Sequence, residues 1–255
     1  MTFDRWLGSW RLEDVAAAFY LLLFGMALLS AVLPPLDAIA SHGKTQQVQS
    51  FFNHRLLLVR KRWFTLFYAT GIVSTCYFWQ PTAVHGLFLL HVVRRFYECC
   101  WVHRFRGNMH VTGLLVGVLY YVFLPVLLST PTTEQSWSTP AQVPWILLAL
   151  WAQYQQHRHH VILANLRSNN NTPATRYTLP RGGWFRFVAC PHYTAELLLY
   201  CALTMLDGSS SFRLWVVLPW VVTHLGQSAW HSHQWYRGTF GNEYRVKYAL
   251  IPGVW

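Results

Sequence analysis

Long apolar runs separated by short polar segments restrict the fold of this 255-residue chain more than any other feature. Seven of these runs approach the roughly 20 residues that a helix needs to cross a bilayer. They lie at about residues 14–34, 63–80, 82–102, 111–129, 143–163, 187–206 and 212–230. Only 11% of the residues are charged, whereas charged residues make up about a quarter of a soluble domain. We therefore predict a single all-α, polytopic membrane domain over residues 1–255, with seven transmembrane helices.

The basic residues are unevenly distributed between the two sides that these spans define. Arg5, Arg11 and Arg213 fall on one side, and the other 17 of the 20 Lys and Arg residues fall on or toward the opposite side. Because basic residues are enriched in cytoplasmic loops, this predicts a luminal N-terminus and a cytosolic C-terminus. Much of the net charge of +11 then contacts anionic membrane lipids. No compact basic module accompanies it, so nucleic acid is not an expected partner.

Neither the N-terminus nor the cysteines predict processing or a metal centre. Acidic residues precede the first apolar run and no cleavage site is evident, which is typical of a retained span. The five cysteines lie mostly within predicted spans and include no CxxC pair, so we interpret them as packing residues. The HRHH run at 157–160 has no acidic or thiolate ligand nearby in sequence, and we expect no metal.

The third span contains ionisable residues, which are costly inside a membrane and usually face a cavity or a partner. His91, Arg95 and Glu98 follow a spacing of four and three residues, which places them on one face of a helix. One interpretation is a structural ion pair between Glu98 and Arg94 or Arg95. The other is a pocket in which arginine binds phosphate and Glu98 orients the arginine.

Polar residues also recur around the connector between the fifth and sixth spans. On the fifth span, Gln153, His157 and His160 recur at helical spacing. On the sixth, His192 and Glu196 lie four residues apart, and a buried glutamate near the cytosolic mouth indicates function. The connector and seventh span add Asn165, Arg167, Arg176, Tyr177, the PRGG turn at 180–183, His224, Gln227, His231, His233 and Tyr236.

Common nucleotide and hydrolase motifs do not occur in the sequence. GxGxxG and GxxxxGK[ST] are absent, which argues against a Rossmann or P-loop site. GxSxG and HExxH are absent as well, so hydrolysis is not indicated. If a dinucleotide binds, helices and loops must form its site.

Several ordered blocks resemble the steroid 5α-reductase family, most closely its polyprenol reductase branch. They are LHVVRRFYECCWV, HHVILANLRSNN, PRGGWFRFVACPHYTAELLLY and SHQWYRGTF, followed by a basic segment and ALIP. The resemblance covers about residues 59–255, and residues 1–58 add only a first span and a variable loop. It implies an endoplasmic reticulum enzyme that opens to the cytosol and makes dolichol for protein N-glycosylation. It also implies that NADPH saturates a carbon–carbon double bond conjugated to a carbonyl.

The resemblance also implies which residues bind the cofactor. Glu196 would hold the nicotinamide amide, and the arginines would hold the phosphates. The implied contacts are Arg95, His160, Asn165, Arg167, Tyr177, His192, Glu196, Tyr236 and Arg245.

The Gln-Glu pair of the steroid branch aligns near Thr65 and Leu66, and its third-span tyrosine near Val92. Because these residues cannot donate a proton in the same way, a steroid 3-ketone is not the expected substrate.

The chemistry of hydride addition favours one oxidation state of the polyisoprenoid lipid substrate. Hydride addition to an isolated allylic alcohol leaves a carbanion without stabilisation, whereas addition to the β-carbon of an unsaturated aldehyde gives an enolate. We therefore expect polyprenal as substrate and dolichal as product. The proton donor is expected to be Tyr68, with His91, Tyr97 and His233 as alternatives.

Other functions fit parts of the pattern. A steroid or enoyl-CoA reductase of the same fold would differ only in substrate, and an isoprenylcysteine methyltransferase would need S-adenosylmethionine. A transporter or lipid-binding scaffold would also carry intramembrane His and Arg, but near the midplane and not toward one mouth. NADPH binding separates these classes. No obligate protein partner is indicated, and the sequence leaves open the polyprenol chain length and the oligomeric state.

Overall fold

The computed structural model describes residues 11–33, 58–105, 107–129, 140–168, 177–207 and 213–254. Within these ranges the chain is predominantly helical, which confirms the predicted class, and one α-helix overlaps each predicted span. The helices are α1 Leu12–Val32, α2 Phe64–Tyr77, α3 Ala83–Tyr97, α4 Val111–Leu128, α5 Val143–Ser168, α6 Pro191–Asp207 and α7 Arg213–Phe240. Arg176 lies outside the described residues.

Two of the described helices, α1 and α4, are long and apolar enough to cross a membrane, with a mean hydropathy of 2.3 each. Large apolar side chains of α1, such as Leu21, Leu22 and Leu29, face outward, as they would toward lipid. α2, α3 and α6 have 14, 15 and 17 residues, and α5 and α7 contain many polar residues. The outward apolar residues of α1 and α4 are typical of a membrane protein, and the seven spans and their orientation stay predictions.

Three helix ends differ from the sequence-based boundaries. The α-helix of the third span ends at Tyr97, and Glu98–Val102 form a π turn closed by a 2.7 Å bond from His103 N–H to the Glu98 carbonyl. α5 continues to Ser168 and α7 to Phe240, beyond their apolar runs. Apolar length therefore underestimates these helices, because backbone hydrogen bonding continues into their polar ends.

A short two-stranded sheet joins the beginnings of α2 and α4. Leu58–Arg60 (β1) pairs antiparallel with Asn108–His110 (β2), and Val59 lies opposite Met109. A 3₁₀ turn at Lys61–Trp63 then leads from β1 into α2. The sheet places the loop after the π turn beside the entrance to α2.

The helices pack as neighbouring pairs around an aromatic core. α5 packs along α6, α1 along α7, and α2 lies between α3 and α4. Tyr20, Phe88, Tyr120 and Tyr121 are buried in this core, and the Tyr20 hydroxyl donates to the Tyr120 carbonyl at 2.7 Å. The close approach of α2 and α4 depends on Gly117, where an added Cβ would lie 2.5 Å from the Phe67 ring.

The PRGG turn packs against α5. Gly182 and Gly183 have φ of 90° and 51°, a conformation that favours glycine. A Cβ on Gly183 would lie 2.9 Å from His159 Nε2, and the Trp184 N–H donates to that nitrogen at 3.1 Å. These glycines therefore bring the chain that leads into α6 close to α5.

Candidate active site

A fully buried carboxylate, Glu98, lies at the centre of a polar cluster between α3 and α5. Arg94 Nη1 donates to its Oε1 at 2.6 Å, and Arg95 Nη1 donates to its Oε2. His157 Nδ1 lies 2.8 Å from Oε1, and His160 Nδ1 lies 2.8 Å from Oε2. We call Arg94, Arg95, Glu98, His157 and His160 the Glu98 cluster. A buried charge requires such partners, because an unpaired one is strongly destabilising.

The sequence brings these groups together through helix geometry. Arg94 and Arg95 lie four and three residues before Glu98, so both guanidiniums can reach its carboxylate within one helical turn. His157 and His160 lie three residues apart and face α3 from α5. The structure therefore contains the predicted ion pair, and both arginines participate in it.

Tyr68 extends the cluster to α2. Its side chain is only 6% exposed, and its hydroxyl oxygen accepts bonds from Arg95 Nε at 3.2 Å and Nη2 at 3.0 Å. Because a guanidinium can only donate, the phenolic proton of Tyr68 is directed to another acceptor. The adjacent positive charge would also stabilise a phenolate after proton transfer. This pair is chemically suited to donate a proton to a developing oxyanion.

Gln156 links the Glu98 cluster to α6. Its Oε1 accepts a bond from Arg94, and its Nε2 donates to Glu196 Oε2 at 3.0 Å. The rings of His160 and His192 lie 5.4 Å apart in the same region. His91 joins from α3, with Nδ1 3.3 Å from Arg94 Nη2. The structure thus brings together six predicted residues, namely Tyr68, His91, Arg95, His160, His192 and Glu196.

A second group lies near the C-terminal end of α7. His233 Nδ1 lies 2.8 Å from the Tyr244 hydroxyl, whose pKa is raised by burial. The ring of Tyr236 lies 5.4 Å from that of Tyr244, and exposed Tyr177 lies 4.8 Å from Trp235. This group contains predicted cofactor residues and His233, which has no described contact with Tyr68.

Four more predicted residues lie at the surface, in addition to Tyr177. Tyr97 is 51% exposed and stacks on Trp101 at 5.4 Å, away from Arg95. Asn165 and Arg245 are exposed, and exposed Arg167 donates to the Arg104 carbonyl at 2.9 Å. The structure therefore does not bring Tyr97 to the cluster, whereas Arg167 and Arg245 are accessible to an anionic ligand.

Glu98, His103 and His160 have the residue types of a metal site, with candidate ligand atoms within 4.8 Å of one another. However, Arg95 Nη1 lies 3.1 Å from His103 Nε2 and 2.8 Å from His160 Nδ1, and it also binds Glu98. The guanidinium thus takes the position between these atoms, and its charge would repel a metal cation. Burial and Arg95 lower the pKa of His103 to about 4, so its ring is neutral near pH 7.

The sequence did not indicate that Gln156 links Arg94 to Glu196. The polar spacing in the sequence indicates Gln153, which lies one turn earlier on the same helix, and both glutamines contact Arg94. Helical spacing among Gln153, Gln156 and His160 is a signal for that shared face. The contact between Gln156 and Glu196 depends on how α5 packs against α6, which spacing within one helix does not specify.

Comparison with known proteins now identifies the family. The family model described as 3-oxo-5-alpha-steroid 4-dehydrogenase matches residues 99–255, more than half of the chain. This chain belongs to that family. The resemblance to steroid 5α-reductases seen in the sequence is therefore confirmed, and the matched region begins one residue after Glu98.

Relatives of this family member include proteins named polyprenal reductase. The zebrafish (Danio rerio) protein is 34% identical over 180 residues, which are 66% of this chain and 58% of the relative. The Saccharomyces cerevisiae protein is 28% identical over 249 residues, 93% of this chain and 92% of the relative. Polyprenal reductase 1 of Oryza sativa subsp. indica is 28% identical over 217 residues, 69% of this chain and 59% of the relative. The chain thus spans just under 60% of the fish and rice relatives and nearly all of the yeast one.

Proposed function

We propose that this protein reduces the α,β-unsaturated aldehyde of a polyprenal to the saturated aldehyde, dolichal, with NADPH as the reductant. The names of its relatives support the substrate class, and the family supports reduction next to a carbonyl. The observation that carries the proposal is the buried Tyr68 hydroxyl held by Arg95 at 3.0 and 3.2 Å. An acid held in this way is what enolate formation requires.

The residues present fit a reduced nicotinamide dinucleotide. Glu196 Oε2 accepts from Gln156, and within the described ranges its Oε1 forms no hydrogen bond, so it is open to an amide N–H. Arg167 and Arg245 are exposed cations suited to phosphates, and exposed Tyr177 offers an aromatic face to a base. Bound NADPH supplies the hydride that adds to the β-carbon of the aldehyde.

The protein's own groups then manage the charge and the proton. The Tyr68 O–H donates a hydrogen bond to the aldehyde oxygen, which becomes an enolate oxygen as the double bond shifts. Tyr68 transfers its proton to that oxygen, and Arg95 stabilises the resulting phenolate. Return of the enol to the aldehyde places the second hydrogen on the α-carbon, and solvent reprotonates Tyr68. His91, buried one turn before Arg95 on α3, is a second candidate donor to the oxygen.

We extend the proposal to the cellular setting that the resemblance implied. The enzyme would lie in the endoplasmic reticulum membrane, with its site open to the cytosol, and would take its isoprenoid substrate from the bilayer. The outward apolar residues of α1 and α4 support contact with lipid. Dolichal would then be reduced by another enzyme to dolichol for N-glycosylation.

Comparison of substrate oxidation states tests the reaction. Detergent-purified protein is incubated with NADPH and either a short polyprenal or the matching polyprenol, without oxidising cofactors. We expect the aldehyde to gain two hydrogens and the alcohol to remain unchanged. Reduction of the alcohol but not of the aldehyde would contradict the proposal. A steroid 3-ketone and an enoyl thioester serve as competing substrates, and both should react more slowly than the polyprenal.

A further inference from the structure

We infer that Gln156 is a positioning residue that fixes the Glu196 carboxylate for recognition of the nicotinamide carboxamide. This inference rests on the proposed NADPH reaction and adds a residue that neither the motifs nor the family resemblance indicated. It follows from a continuous chain of hydrogen bonds that runs from α3 through α5 to α6.

The orientation of the Gln156 amide follows from the chemistry of its neighbours. Arg94 has only donors, so the oxygen of the amide must face the guanidinium. The amide nitrogen must then face α6, where it lies 3.0 Å from Glu196 Oε2 and 3.4 Å from the His192 carbonyl. Rotation of the amide by 180° would place N–H groups against the guanidinium and the amide oxygen against the carboxylate. Only one orientation is therefore compatible with both neighbours.

Arg94, which donates to the Gln156 amide oxygen, is itself held in place. Arg94 Nη1 binds the buried Glu98 carboxylate at 2.6 Å, and Arg94 Nη2 lies 3.3 Å from His91 Nδ1. Gln156 is only 1% exposed, so water does not compete for its amide. A side chain locked by packing and by such supporting bonds holds its partner more accurately than a solvated one.

The bond from Gln156 gives the two carboxylate oxygens of Glu196 different roles. Gln156 holds Oε2, which leaves Oε1 available to an incoming donor. A carboxylate accepts hydrogen bonds only, so Oε1 would select the N–H of a carboxamide over a group without a donor. Without Gln156, Glu196 can rotate and this selection should weaken, while the arginines still bind the phosphates.

The test compares the affinity of the full-length protein for NADPH with that for the reduced 3-acetylpyridine analogue, which has a methyl group in place of the amide nitrogen. Gln156→Leu is compared with Gln153→Leu. Gln153 is a matched control because it is buried on the same helix and accepts from Arg94 Nε at 3.5 Å, yet makes no described contact with Glu196. Binding of both ligands is followed by quenching of the protein's tryptophan fluorescence, which does not require turnover.

We expect the wild type and Gln153→Leu to bind NADPH at least about tenfold more tightly than the analogue, as for a hydrogen bond to a charged group. In Gln156→Leu the ratio of the two affinities should fall to about threefold or less. An unchanged ratio in Gln156→Leu, or an equal fall in Gln153→Leu, would overturn the inference. If Gln156→Leu does not fold, Gln156→Met provides the same comparison. Failure of the wild type to bind NADPH would instead reject the proposed function, and the inference with it.

Discussion

At the scale of single residues, Tyr68 and Tyr97 form a natural comparison. Tyr68 is buried against Arg95, whereas Tyr97 faces outward beside Trp101. We expect Tyr68→Phe to lower kcat about 10²–10⁴-fold, the usual contribution of a positioned general acid, with little change in the Kd for NADPH. Tyr97→Phe should keep kcat within about twofold. Equal effects of the two substitutions on polyprenal reduction would remove Tyr68 from the proposed role.

His103 predicts a pH dependence of stability. Its pKa is lowered to about 4 in the fold, mainly by burial and then by Arg95, from about 6.5 in an unfolded chain. The unfolded state therefore binds the proton more readily, so stability is full above pH 6.5 and is lost as pH falls toward 4. The loss attributable to His103 is at most about 3 kcal/mol. As the pH falls over this range, the unfolding temperature of the wild type should decrease more steeply than that of His103→Gln. Parallel decreases in the two unfolding temperatures would contradict this prediction.

At the scale of elements, the contact between α2 and α4 predicts a difference between two glycines of α4. A Cβ on Gly117 would lie 2.5 Å from the Phe67 ring, whereas a Cβ on Gly113, one turn earlier, meets no atom within 4 Å. Gly117→Ala should destabilise the protein by about 1–3 kcal/mol, because overpacking forces the helices apart. Gly113→Ala should be neutral or slightly stabilising, since alanine favours helix. Unfolding midpoints in detergent measure both, and equal midpoints would argue against this packing.

Helical spacing explains which site residues the sequence could predict. His91, Arg95 and Glu98 share a face of the third span, and all three belong to the network in the structure. The same rule argues against Tyr97, which lies two residues after Arg95 and so faces away from it. The π turn at Glu98–Val102 and the contact of Gln156 with Glu196 were not predictable, because they depend on the packing of α3, α5 and α6.

At the scale of the whole molecule, the apolar pattern correctly predicted a helical protein with one helix for each apolar run. It did not predict where the polar ends of α5 and α7 stop, although these ends contain Arg167 and His233. The helices thus continue past their apolar runs and carry polar residues into the predicted cytosolic side. This arrangement suits a lipid substrate that enters from the bilayer and a charged cofactor that enters from water.

The central claim is that hydride reaches the β-carbon of a conjugated aldehyde in this protein. The most direct measurement is anaerobic incubation of the purified protein with a short polyprenal and NADPH that carries deuterium at both hydrogen positions of the nicotinamide C4, followed by mass spectrometry of the product. We predict one deuterium on the β-carbon and a solvent-derived hydrogen on the α-carbon. Deuterium on the aldehyde carbon with the double bond intact would contradict the account, because it would indicate reduction of the carbonyl instead.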